Sequence, residues 1–112
     1  PEMVHELLGR PTASVCDLGC GNGFLIKGLR DLGHPVVGVE PSPEACARAA
    51  DDGLTVYRGS AESPPPQLDG ARFDAVTMTH VLEHCLDPIA SLRNAVGLLA
   101  DGGLLFVEVP NN

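Results

Sequence analysis

Strand-forming residues run directly into a glycine-rich turn at Val15-Cys16-Asp17-Leu18-Gly19-Cys20-Gly21-Asn22-Gly23. Glycines let the backbone turn sharply and let a ligand approach the main chain. A helix starting after such a turn presents unpaired N–H groups. In open α/β sheets, ligands bind at this place, beyond the carboxyl ends of the strands. A turn without a ligand would explain the glycines alone, but Glu40 adds a second coincidence. It closes the next β-branched run, 17 residues beyond Gly23, where a carboxylate accepts hydrogen bonds from ribose hydroxyls. The dinucleotide fingerprint G-x-G-x-x-G would need glycine where Phe24 stands; here the glycine falls at 23. Asp17 also stands two residues before the first glycine. An acid there repels pyrophosphate and suits a ligand carrying an ammonium and a sulfonium.

The other chemically loaded stretch is His80-Val81-Leu82-Glu83-His84. It matches H-x-x-E-H, a zinc-peptidase pattern, and two histidines at i and i+4 of a helix can share a metal. That chemistry needs a long helix and a third ligand. Here the stretch follows a strand at once and meets Asp87-Pro88 soon after, so no metal site is assigned. Three readings stay open: Glu83 and His84 tying the loop by hydrogen bonds, a loosely held metal on His80, Glu83 and His84, or a site-facing role for one or both histidines. His5 reads as an ordinary helix residue and His34 as a turn residue.

The elements that must position these residues follow from periodicity and breakers. Residues 2–9 have a helical apolar pattern stopped by Gly9. Strands are expected at 14–18, 35–39, 54–57, 73–78 and 104–109. A helix over 24–32 has apolar positions at 24, 25, 28/29 and 32, and Gly33 closes it. Ser42 and Pro43 start another helix as N-cap and first-turn proline, which fades at Asp51-Asp52-Gly53. Pro64-Pro65-Pro66 excludes helix from the loop over 59–70. Residues 81–85 form one short turn. Asp87-Pro88 starts a helix running to Leu99, and Asp101-Gly102-Gly103 ends it. Strands alternating with helices predict an α/β parallel sheet with crossovers, in one domain spanning 1–112.

Composition narrows the function. Hydrophobic residues are 44% of 112, with no Trp, so the core is mostly Leu, Val, Ile and Ala. The net charge of −8, from 7 basic and 15 acidic residues, disfavours a nucleic-acid partner for this segment. No apolar run approaches the ~20 residues of a membrane span. The start PEMVHELLGR is not a signal peptide. Cys16, Cys20, Cys46 and Cys85 show no CxxC spacing and read as reduced thiols of a cytoplasmic protein. The chain starts without Met and stops at Val109-Pro110-Asn111-Asn112, which reads as a fragment.

Taken in order, these stretches resemble class I methyltransferases. DLGCGNG resembles the first motif of that family and VVGVEPS the second. Gly59-Ser60-Ala61-Glu62 resembles its adenine-side loop, FDAVTMTHVLEHCLDP the fourth-strand motif, and GGLLFVEVPN the fifth strand. The ordered set covers roughly residues 13–111. The resemblance implies a Rossmann-like, mostly parallel five-stranded sheet in the order 3-2-1-4-5, flanked by helices and lacking the last two family strands. It implies S-adenosylmethionine as cofactor and S-adenosylhomocysteine as product. Asp17 would sit near the methionine amino group. Gly19, Cys20, Gly21, Asn22 and Gly23 would form the turn under methionine and ribose. Glu40, followed by Pro41, would hold the ribose hydroxyls, and Ala61 would offer its backbone to adenine. Many relatives have Asp where Ser60 stands; Ser60 is shorter, and Glu62 could replace that contact to the adenine amino group. Thr79 and His80 would lie beside the methionine end.

Such a reaction needs an acceptor atom in line behind an already activated methyl, with water excluded. A base is needed only if the acceptor must lose a proton; His80 or His84 is the candidate, since imidazole titrates near neutrality. The acceptor is expected to be a small molecule of unidentified kind. A sheet edge left open after the fifth strand invites a homodimer. The alternatives are a non-catalytic cofactor- or partner-binding relative, and an NAD-dependent oxidoreductase, against which Asp17 and Phe24 argue.

Overall fold

The computed structural model describes residues 1–110; Asn111, the last residue of the fifth-strand motif, lies outside them. The central strand is β1 (Val15–Leu18), buried along its whole length. Parallel strands lie on both sides of it: β2 (Val36–Glu40) and β3 (Val56–Arg58) on one, β4 (Phe73–Thr79) and β5 (Leu99–Glu108) on the other. The order is β3-β2-β1-β4-β5, as the resemblance implied. Helices α1 (Glu2–Leu8), α2 (Phe24–Asp31), α3 (Pro43–Asp51) and α4 (Pro88–Gly97) flank it. A strand buried on both faces reads as a continuous apolar run, and Val15, Cys16 and Leu18 fit that rule. Cys16 and Leu18 share a core with Val76, Met78, Ala95 and Leu98 on one face. Val15 packs with Val4, Leu29 and Ala75 on the other.

Helix starts lie where their caps stand. Ser42 Oγ accepts the Ala45 N–H at 3.2 Å, and Asp87 Oδ1 accepts the Ala90 N–H at 3.0 Å. In α2 the core face is Ile26 and Leu29; Phe24 is 80% exposed, so the buried stripe is rotated about the helix axis and leaves Phe24 outside it. α4 ends at Gly97 rather than 99, because the Leu98 carbonyl accepts the Phe73 N–H at 2.7 Å and joins the sheet. Asp101-Gly102-Gly103 therefore lies inside β5. Phe73 pairs with Leu99 and Ala75 with Leu104, so residues 100–103 bulge opposite Asp74. A Cβ on Gly103 would lie 2.9 Å from the Ala100 oxygen and 3.1 Å from the Asp74 oxygen, which is why a bulge here takes glycine. β3 begins at Val56, two residues later than expected, since Leu54 turns inward to pack with Ile26 and Ala49. One 3-10 turn, Pro66–Leu68, forms in the proline loop: proline in a first helical position lacks an N–H that would have no partner there.

His5 and His34 are not independent surface residues. His34 is 2% exposed. Its Nδ1 accepts the Ala13 N–H at 3.0 Å, and its Nε2 lies 2.8 Å from Nδ1 of His5. A ring whose Nδ1 accepts carries its hydrogen on Nε2, so His34 donates to His5, and the pair ties α1 to the turn after α2. Burial, and secondarily the His5 ring, lower the His34 pKa below 6.5. The folded chain thus resists protonating His34 more than the unfolded chain does. Stability from this site is complete above the unfolded value of 6.5 and falls as pH drops below it. Urea midpoints across that range should show the advantage of wild type over His34→Gln shrinking as pH falls; a constant difference would remove the linkage.

Candidate functional site

The turn Gly19–Gly23 leaves β1 at its carboxyl end and is held by the neighbouring strand. The Gly19 and Cys20 N–H groups both donate to the Val39 carbonyl, at 2.7 and 2.9 Å. Gly19 has φ +80°, and a Cβ there would lie 2.6 Å from Cγ2 of Val81, so the loop after β4 rests directly on it. Gly23 serves packing instead: with φ +86°, its Cβ would lie 2.6 Å from Cδ1 of Leu54. Cys20 points into the core under Gly38, leaving only its backbone for a ligand. Asn22 is exposed, and its Oδ1 accepts from Arg48 Nε at 3.0 Å, a tie to α3.

Two hollows meet over this turn. One, of about 320 Å³, is bounded by Gly19, Glu40, Pro41, Ser60, Ala61, Glu62, His80, Val81, His84 and Cys85. The other, of about 410 Å³, is bounded by Pro1, Met3, Val4, Asp17, Gly19, Cys20, Gly21, Phe24, Leu25, Thr79 and Glu108. Gly19 belongs to both. The structure thus brings together all the expected site residues except Asn22 and Gly23, and places Glu40 in one hollow and Asp17 in the other.

The two acids are held differently. Glu40 is 9% exposed. Its Oε1 accepts the Gly21 N–H and its Oε2 the Ser42 N–H, each at 2.8 Å. Each oxygen keeps a further lone pair for a hydroxyl donor. Asp17 is 3% exposed, and its bond is from the Thr77 hydroxyl at 2.7 Å. Burial pushes its pKa up to about 7, opposed by Thr77 and assisted by the nearby Glu40. Burial also pushes the Cys16 and Cys20 thiols up to about 12, so neither is a nucleophile at neutral pH.

The loop over residues 60–62 is braced by side chains whose sequence positions gave no hint of it. Asn94 Nδ2 donates to the Ala61 and Glu62 carbonyls at 2.9 and 3.2 Å. The Glu62 carboxylate accepts the Leu86 and Asp87 N–H groups at 3.3 and 3.2 Å, so it is engaged in the loop rather than extended toward a ligand. Ser60 Oγ accepts the Ser63 N–H at 3.0 Å and keeps its own hydrogen to donate. His80 Nε2 lies 3.0 Å from Glu108 and Nδ1 3.7 Å from Glu83. His84 makes no side-chain hydrogen bond among the described residues, so the loop is tied through His80 rather than His84. No cluster among the described residues has the ligands for a metal ion. Sequence reasoning missed Glu108, Met3 and Cys85. The rule that located Glu40, an acid at a strand's carboxyl end, also locates Glu108.

A family model described as a methyltransferase domain matches residues 2–112. This chain belongs to that methyltransferase family. A ubiquinone biosynthesis O-methyltransferase of Methylobacterium nodulans is 39% identical over 103 residues, covering 88% of this chain and 41% of its own. The sugar N-methyltransferase KedS8 from Streptoalloteichus superposes with a TM-score of 0.85 at 26% identity, over 97% of this chain and 47% of that one. The S-adenosylmethionine-bound amino pentose methyltransferase CalS10 of Micromonospora echinaspora shares the fold, with a TM-score of 0.82 at 24% identity, over 98% and 50% of the two chains. The chain spans about half the length of the relatives it matches. No helix among the described residues is long and apolar enough to cross a membrane.

Glu40 generates a stability prediction for this methyltransferase domain. Glu40→Gln places an amide NH2 against one of two backbone N–H donors and leaves that donor unpaired. The expected loss is ~1–3 kcal/mol, read from urea unfolding without ligand. An unchanged midpoint would mean that Glu40 does not hold the turn.

Proposed function

We propose that residues 1–112 form a single unit that binds S-adenosylmethionine for methyl transfer to a small-molecule acceptor. One observation carries the reading. The hollows on either side of Gly19 place an anchored carboxylate, Glu40, in one and a buried, uncompensated carboxyl, Asp17, in the other. A donor with ribose hydroxyls at one end and an ammonium at the other matches both. When bound, this cofactor supplies a methyl group already activated by positive sulfur.

The chain's own residues do the rest. Glu40 accepts from the ribose hydroxyls with its remaining lone pairs, and Asp17 accepts from the ammonium. Ala61 presents its backbone N–H to adenine, with Ser60 beside it. Val81 and Cys85 cover the adenosine side. Met3, Phe24 and Leu25 give the opposite hollow apolar walls. His80 is the base when the acceptor must shed a proton; His84, which also lines the adenosine side, is the second candidate. Four free thiols fit a reducing compartment such as the cytoplasm.

The test is calorimetric titration with S-adenosylhomocysteine, with NAD as control. An ammonium beside Asp17 favours its charged form. Below its raised pKa of about 7 Asp17 holds a proton, which binding must expel. Comparing buffers of different ionisation enthalpy should show release approaching one proton at about pH 6, vanishing above about pH 8, and absent in Asp17→Asn. Equal binding of NAD, or no proton release in wild type, would count against the site as drawn. Turnover equal to wild type in both His80→Ala and His84→Ala would remove the histidine base.

A further inference from the structure

Among the described residues, His80 is the one non-glycine residue with a positive φ, 56°. It follows Thr79, the last residue of β4, which pairs with Glu108 at the end of β5. The His80 N–H donates to the Glu108 carbonyl at 2.7 Å. The left-handed turn then carries the imidazole across the strand end, where Nε2 lies 3.0 Å from Oε1 of Glu108. Nδ1 is 3.7 Å from Oε2 of Glu83, beyond hydrogen-bond reach. A backbone conformation that L residues rarely adopt, held at the wall of a binding hollow, is the kind of strain found at functional positions.

The tautomer follows from the partner. A carboxylate only accepts, so a hydrogen bond across this 3.0 Å contact with Glu108 requires the hydrogen on Nε2. The neutral ring then keeps its lone pair on Nδ1. We propose that Glu108 is a positioning residue, holding His80 in the Nε2–H tautomer and leaving Nδ1 as the atom that takes the acceptor's proton. This rests on the reading of His80 as the base. It follows the logic by which a third group orients a catalytic base. In the balanced step, a lone pair of the acceptor atom forms the bond to the methyl carbon as the carbon–sulfur bond breaks. The sulfur keeps that bonding pair and loses its positive charge. The acceptor's proton passes to Nδ1, and the positive charge ends on the imidazolium. Glu108 does not itself take a proton.

Nitrogen-15 spectroscopy of the whole chain, labelled in histidine, tests this without an acceptor. The His80 signals are assigned by their loss in His80→Ala and read at mildly alkaline pH. In wild type, Nε2 should appear protonated and Nδ1 unprotonated. Glu108→Ala should collapse the two signals toward an averaged pair as the tautomers exchange. Glu108→Gln, whose amide oxygen still accepts, should restore them. Glu83→Gln should leave them unchanged, since the 3.7 Å contact is not a hydrogen bond. A wild-type ring protonated on Nδ1, a ring still doubly protonated at that pH, or a Glu108→Ala spectrum like wild type would overturn the proposal. Should Glu108→Ala fail to fold, the wild-type tautomer and the Glu108→Gln spectrum still decide. The base reading falls separately, by turnover in His80→Ala.

Discussion

The arrangement depends first on the carboxylate of Glu40. It receives the Gly21 N–H on one oxygen and the Ser42 N–H on the other. Hydrogen bonds to a charged group contribute roughly 1.5–3 kcal/mol each. These two bonds do more than stabilise one side chain. They fasten a turn rich in glycine, which loses much chain entropy on ordering, to the end of β2. They also fix Ser42, whose own hydroxyl caps α3. The turn, the strand end and the helix start thus share one anchor, which faces the hollow with its remaining lone pairs.

Asp17 is the counterpart, buried without such support. Its one side-chain hydrogen bond among the described residues comes from Thr77, and Glu40 adds like-charge repulsion. A buried carboxylate without a partner is costly, and the group answers by holding its proton. The domain therefore keeps one acid satisfied by its own backbone and a second with no positive group among the described residues to stabilise its charge. The two acids differ in what they do for the fold: Glu40 holds the turn together, whereas burial opposes the ionisation of Asp17. Around them, Cys20 and Asn22 turn away from the hollows, into the core and onto α3. Side chains inside a binding motif can hold the motif's shape rather than touch what it binds.

Much of this was legible in the sequence because the relevant physics is local. Strand, glycine turn and helix succeed one another within Val15–Asp31, and the Ser42 and Asp87 caps mark their helices by neighbouring residues alone. Asp17 and Glu40 were visible because strand ends place acids predictably. What escaped involves partners distant in the chain. His5 and His34 meet across 29 residues and Asn94 reaches Ala61 across 33; no local pattern announces either. Asp101-Gly102-Gly103 has the sequence of a helix stop yet forms a bulge, because the same residues serve both purposes and only pairing with Asp74's strand decides between them. Phe24 fitted a helical apolar face, yet it stands 80% exposed, since the turn sets the rotation of α2 and aims Phe24 at the second hollow.

The two hollows differ in what builds them, and that difference bears on how one fold serves many acceptors. Around the hollow that holds Glu40, hydrogen bonds from Gly21, Ser42, Asn94, Leu86 and Asp87 fix the walls. Such bonds require particular partners at particular positions, so this half tolerates little change. On the other side the wall is α1, joined through the His5–His34 contact and the packing of Val4, with Met3 63% exposed beside Phe24. Apolar walls accept substitutions of similar size with small changes in energy. Function on a shared fold lives in the site grafted onto it, and here the graft has a rigid half and a compliant half. Their boundary runs through Gly19 and Thr79, close to where His80 crosses to Glu108. The His80 ring, at the ends of two paired strands, sits on the rigid side of that boundary, so the compliant wall can vary without moving it.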